Sequence, residues 1–185
     1  MDMITIMFTA IGLAMDSFAI SITSGLTIKR VKIKNAARIA IFFGFFQAIM
    51  PVAGWLAGVS IIDLISGVDH WIAFLLLSLI GCRMIYESIK RGSKMKIINP
   101  LNLYVLLMLS VATSIDALAV GLSFAFLRII IAIPIVVIGI TTFLLSFLGV
   151  YAGKRFGHFF ERKIEIVGGV ILIGIGVKIL VEHMV

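Results

Sequence analysis

Six long apolar runs, separated by short polar connections, organise this chain. They fall at about 3–27, 36–61, 70–89, 101–127, 129–152 and 164–183. Each is long enough, or nearly so, to cross roughly 30 Å of hydrocarbon as a helix, which takes about 20 apolar residues. The connections leave no room for a soluble domain. The pattern predicts an all-α integral membrane protein with six transmembrane helices. Composition strengthens this: 62% of the residues are hydrophobic and 14% charged, against roughly 45–50% and 25% in soluble domains. The first run does not read as a cleaved signal peptide. Asp2 precedes it and no Lys or Arg appears before Lys29, whereas a signal peptide has a basic start and a shorter apolar stretch.

The net charge of +7 would suit a nucleic-acid binder, but its distribution argues against one. Of the sixteen Lys and Arg, thirteen lie between or beside runs one and two, three and four, or five and six. These are Lys29, Arg30, Lys32, Lys34 and Arg38, then Lys90, Arg91, Lys94 and Lys96, then Lys154, Arg155, Arg162 and Lys163. The opposite side holds Arg128 alone. Basic residues concentrate in cytoplasmic loops of membrane proteins, so both termini are expected outside and the three basic loops inside. The clusters serve orientation and contact with anionic lipid.

The two halves resemble each other. Gly44, Gly54 and Gly58 in run two fall on Gly139, Gly149 and Gly153 in run five at an offset of 95 residues, and Gln47 falls on Thr142. Gly81, Arg83 and Glu87 fall on Gly176, Lys178 and Glu182 at the same offset. Runs one and four match at an offset of 100, because the first basic loop is longer than its counterpart. Residues 1–97 and 98–185 thus form two three-helix repeats. Three crossings are an odd number, so the second repeat enters the membrane from the opposite side. Inverted repeats of this kind are common in secondary transporters, whose sites lie near mid-bilayer where the repeats meet.

Two aspartates occupy that level. Asp16 is the one charged residue between Met3 and Ile28, and Asp116 the one between Leu101 and Leu127. An acid at mid-bilayer costs roughly 2.5–3.5 kcal/mol on insertion scales and marks a functional site by default. Helical spacing puts Thr9, Asp16 and Thr23 on one face, and Thr113, Asp116 and Ser123 on another. Small and hydroxyl side chains therefore surround each acid. Two ionised carboxylates about 4 Å apart repel by roughly 4 kcal/mol at an effective dielectric near 20. A bound dication or a retained proton relieves that repulsion, and competition between them would exchange a metal ion for protons. The three histidines lie at segment ends or in a loop, and Cys82 is away from the centre. The remaining oxygen donors suit Mg, Ca or Mn rather than Zn or Cu.

Other polar positions are assigned around this site. Gln47 is an amide inside run two, just before the kink expected at Pro51, and serves either the site or an interhelical hydrogen bond. Metal-facing candidates are therefore Asp16, Asp116, Gln47, Thr113, Thr23 and Ser123. Met15 and Met50 read as packing, as does Cys82, which has no partner for a disulfide. Arg83 with Glu87, and Lys178 with Glu182, read as snorkelling pairs or as two gates. Trp71 reads as an interfacial anchor.

Several stretches resemble the MntP-type manganese efflux pumps of the lysine-exporter-like superfamily. They are Met15-Asp16-Ser17-Phe18-Ala19, Phe43-Gly44-Phe45-Phe46-Gln47, Met50-Pro51 with Gly54-Trp55, His70-Trp71-Ile72-Ala73-Phe74, Ser114-Ile115-Asp116-Ala117, and Gly168-Gly169 through Gly174-Ile175-Gly176. The match runs nearly the whole chain in order. It implies six helices, a bacterial inner membrane and export of Mn²⁺, which is substrate rather than cofactor. It also implies that Asp16 and Asp116 are the essential acids, and that Gln47 stands where the family carries Gln or Glu. The residues by themselves reach a transporter of a hard divalent cation; manganese and the outward direction come from the resemblance.

Three rivals deserve contrast. An amino-acid exporter of the same superfamily must satisfy a zwitterion, yet no Lys or Arg lies near mid-bilayer. An intramembrane aspartyl protease carries Gly-x-Gly-Asp, and neither acid here follows a glycine. A channel would pass ions without saturating at low concentration. The charge asymmetry makes its own prediction: a reporter fused at Val185 is active outside the cytoplasm, and one inserted at Ser93 is active inside. The opposite pattern at both points overturns the orientation.

Overall fold

The protein is seen in a computed structural model that describes residues 3–28, 30–65 and 100–156, with scattered helical positions within 71–86 and 170–181. Among the described residues all regular structure is helical. We label the continuous elements α1 (Met3–Thr27), α2 (Ile33–Ile65), α3 (Leu103–Thr113), α4 (Ile115–Phe126) and α5 (Ala132–Phe156). Among the described residues four spans, with α3 and α4 counted as one, are long and apolar enough to cross a membrane. The third and sixth predicted runs lie largely outside the described residues, and so do Arg83, Glu87, Lys178, Glu182 and the three histidines.

The bundle turns apolar side chains outward as well as inward. Phe8, Phe45, Leu56, Ile133, Ile140 and Leu148 are each more than half exposed, a surface that hydrocarbon covers at no cost but water would not. The described part of Cys82 is exposed too, not packed as expected. Inside, two apolar clusters form: one around Leu13, Val120, Phe124 and Ile138, with Met15, Met50 and Trp55 against it, and one around Ile39, Phe43, Leu106 and Val150.

Two helix pairs make the closest contacts, α1 with α5 and α2 with α4, and α2 also crosses α5. Glycines permit this. Gly54 lies on the main chain of Leu118 and Gly58 on Leu122 and Ala125; Gly149 lies on Phe18 and Gly153 on the main chain of Ile22. Contacts advancing four residues on both partners mean that each pair runs parallel. Gly44 and Gly139 meet where α2 crosses α5.

Three boundaries depart from the sequence pattern. Run four is one helix in prospect but two in fact, interrupted at Ser114 (φ −105°, ψ 3°). Hydroxyls cluster at the break. Thr113 Oγ1 donates to the carbonyls of Leu109 (3.0 Å) and Ser110 (3.2 Å), and Ser114 Oγ donates to Val111 O at 3.1 Å. Side chains that take carbonyls compete with the helical ladder. The Ser114 N–H tightens to Val111 O, and the ladder resumes when Leu118 N–H reaches Ser114 O. At Pro51, by contrast, α2 continues without interruption.

Between α4 and α5, Arg128 adopts a left-handed backbone (φ 54°). The Ile129 N–H reaches Phe124 O and the Arg128 N–H reaches Ala125 O, both at 2.9 Å. That is a Schellman ending, with arginine where glycine is usual. Trp55 Nε1 on α2 donates to Ile129 O at 3.1 Å and fixes the turn. Consequently α5 starts at Ala132, later than the apolar run, and extends to Phe156, with Lys154 and Arg155 in its last turn. Cations there complement the negative end of the helix.

Two stability predictions follow from these geometries. Gly153→Ala drives a methyl into the Ile22 main chain and should cost about 1–3 kcal/mol in detergent unfolding. Gly139→Ala meets the Ala48 side chain instead and should cost less. Arg128→Gly removes the left-handed penalty and should stabilise by about 1 kcal/mol, read as a higher melting temperature in the same assay.

Candidate metal site

Asp16 lies in the middle of α1, inside an unbroken helix, whereas Asp116 lies in the first turn of α4. The break at Ser114 thus gives Asp116 a helix N-terminus. Its Oδ1 accepts from the Ala117 N–H at 2.7 Å, and the local dipole favours a negative charge by about 0.3–1 kcal/mol. Both acids are half-buried. They come from helices distant in sequence, yet the charge of Asp16 acts on the Asp116 carboxyl.

Gln47 ties these elements together. It is fully buried on α2, and Nε2 donates to the Leu13 carbonyl of α1 at 3.2 Å. Its side chain also reaches the Asp116 carboxyl, but neither Gln47 Oε1 nor Asp116 Oδ2 has a well-formed partner. The amide therefore makes the interhelical bond and also faces the acid.

The hydroxyl candidates divide. Thr113 is buried, three residues before Asp116 across the break; its proton is given to α3 carbonyls, leaving its lone pairs as acceptors. Thr23 and Ser123 bond back to Ala19 O (3.1 Å) and Ala119 O (3.0 Å). Each is seven residues past its acid, about 10 Å along a helix axis, whereas hard cations hold oxygens at roughly 2.0–2.6 Å. The structure does not bring those two to the ion that the acids could share.

Four hydroxyls passed over as ligands in the sequence also lie inside the bundle. Ser17, Ser21, Thr142 and Ser146 are fully buried, and none has a hydrogen-bond partner among the described residues. A buried hydroxyl without a partner costs about 1–3 kcal/mol on mutational evidence. The signal in the sequence was their spacing, two polar pairs one turn apart in apolar helices.

Among the described residues no three His, Cys, Asp or Glu side chains gather. The arrangement offers two carboxylates, an amide oxygen, hydroxyls and carbonyls at the end of α3. Chemically it can neutralise a dication with hard oxygen donors, or hold protons in its place.

Comparison with known proteins bears on this geometry. A family described as "Putative manganese efflux pump" (Mntp) matches residues 30–180. A protein of Methanosarcina acetivorans named "Putative manganese efflux pump MntP" is 53% identical over 184 residues, covering 100% of this chain and 98% of the relative. Proteins with the same name from Crocosphaera subtropica and Clostridium perfringens are 50% and 48% identical, covering 100% and 99% of this chain and 98% and 96% of their own lengths. No solved structure matches the chain.

Proposed function

Because the chain belongs to the MntP family of manganese efflux pumps, we propose that it exports Mn²⁺ across the cytoplasmic membrane from a site between Asp16 and Asp116. It is a multi-pass membrane transporter, and Mn²⁺ is its substrate. What supports the site is the pair of lone acids on separate helices of an apolar bundle, with fully buried Gln47 tying α2 to the helix of Asp16. Gln47 and Thr113 complete the oxygen set, with Thr23 and Ser123 further along the same helices.

The fold in this reading is six helices in two inverted three-helix repeats, with both termini outside. The doubled contacts support it. Gly54 and Gly58 meet Leu118 and Leu122, while Gly149 and Gly153 meet Phe18 and Ile22; the glycines differ by 95 in number and their partners by 100. Parallel packing of α1 with α5 and of α2 with α4 agrees with the crossing directions that the basic loops require.

Transport proceeds by exchange. Two carboxylates sharing one site repel when both are ionised, so the empty site retains a proton that the dication displaces. The amide of Gln47 contributes an acceptor without adding a third charge.

The test is flux of Mn²⁺ into proteoliposomes with the membrane potential clamped and only the pH gradient varied. The gradient should drive Mn²⁺ against its concentration, and Asp16→Asn and Asp116→Asn should each reduce flux to the protein-free background while remaining in the membrane. Normal flux in Asp116→Asn sinks the two-acid site. Flux indifferent to the gradient sinks proton exchange and leaves the site standing.

A further inference from the structure

Thr142 is fully buried on α5, and its hydroxyl has no hydrogen-bond partner among the described residues. Other hydroxyls in these helices behave differently. Thr9, Thr23, Ser110, Thr113 and Ser123 all donate to a carbonyl one turn back, the usual refuge of a hydroxyl in an apolar helix. A fully buried polar atom without a protein partner is rare and calls for an account.

Packing fixes the level of Thr142 in the bundle. One turn earlier, Ile138 belongs to a buried cluster with Ala10 and Leu13 of α1 and Ala117 and Val120 of α4. Two turns later, Gly149 lies on Phe18 and Ser21 of α1. At about 100° per residue, positions 138, 142 and 149 fall within about 40° of one another. Thr142 therefore shares the face of α5 that is turned to the helices carrying the two acids.

Because α1 and α5 run parallel, the turn from Ile138 to Thr142 advances α1 from Ala10 and Leu13 to Ala14 and Ser17. Asp16 is in that turn. On α4 the direction is reversed. Gly44 meets Phe143 while Gly139 meets Ala48, so α2 and α5 are antiparallel, and α4 runs with α2. The same step moves α4 from Ala117 and Val120 back to Thr113 and Asp116. Thr142 stands level with both acids.

The other half puts a ligand-type residue at the matching place. Gln47, 95 residues earlier, bonds to Leu13 O and faces Asp116. Threonine is shorter than glutamine and does not span to the next helix as the amide does.

We propose that Thr142 is a metal-contacting residue, whose Oγ1 supplies a neutral oxygen from α5 to the dication held by Asp16 and Asp116. An alcohol oxygen stands in for one water of the shell of a hard cation and adds no charge to the site. The proposal rests on the acid-pair reading and adds to its oxygen set.

Mn²⁺ binding to the purified full chain in detergent tests it, followed by loss of the electron paramagnetic resonance signal of free Mn²⁺ and paired with melting temperature. Thr142→Val keeps the shape and removes the oxygen. It should weaken Mn²⁺ binding by at least the roughly 10-fold that loss of an outer-shell partner costs a metal site. Its metal-free melting temperature should stay equal or rise, because no hydrogen bond is lost. Thr142→Ser should bind close to the wild-type affinity. Ser146→Ala, which removes an equally buried and unpartnered hydroxyl one turn further on, should bind as the wild type does. Wild-type affinity in Thr142→Val overturns the proposal. Failure of Thr142→Ser to rescue, or an equal loss in Ser146→Ala, makes the effect one of packing and overturns it as well. Asp116→Asn in the same assay separates the two readings. If it abolishes binding while Thr142→Val leaves binding intact, only the role of Thr142 falls. If it binds normally, the acid pair falls and the proposal with it.

Discussion

A carboxylate in hydrocarbon needs compensation, and this bundle sets two of them near each other. Their mutual repulsion is the term that the surrounding structure has to manage. Around Asp116 the management is local. The chain stops being a helix at Ser114 and restarts, so that the acid meets a helix N-terminus and the Ala117 N–H. Asp16 instead sits mid-helix, because α1 is unbroken. The two acids therefore stand in unequal backbone environments, one at a helix N-terminus and the other within a continuous helix. That inequality suits a site where a dication and a proton alternate.

Proximity of the acids depends in turn on backbone proximity of the helices. Without a hydrophobic force between helices in lipid, close packing and interhelical hydrogen bonds hold them together. The glycines on α2 and α5 let the main chains of α4 and α1 approach, and a methyl at Gly54 or Gly153 would strike a carbonyl directly. Gln47 adds the polar tie to α1 at Leu13. The parts that carry no charge thus decide where the charges sit.

What could be read in the chain follows from how local each signal is. Length and hydropathy of the apolar runs are properties of single segments, so α1, α2 and α5 were recognisable, as were the lone acids in runs one and four. The glycine pairs were legible as small-residue spacing, and their contacts are now specific. The break at Ser114 was not, because Thr113 and Ser114 read equally well as hydroxyls bonding back along an intact helix. The later start of α5 was hidden for a related reason: apolar Ile129 and Ile130 belong to a turn held by Trp55 from another helix. Thr23 and Ser123 share a face with their acids, but periodicity carries no information on distance along the axis. Ser17, Ser21 and Ser146 drew no assignment, because burial of a hydroxyl without a partner cannot be seen in one helix alone.

The two halves share a scaffold more closely than they share polar residues. Glycines recur at matching places, and the pairs α1–α5 and α2–α4 are built alike, yet Ser21 stands in one contact where Gly121 stands in the other. In a carrier made of two equivalent halves, a common skeleton makes two closures of comparable shape available, and differences in side chains set their relative energy.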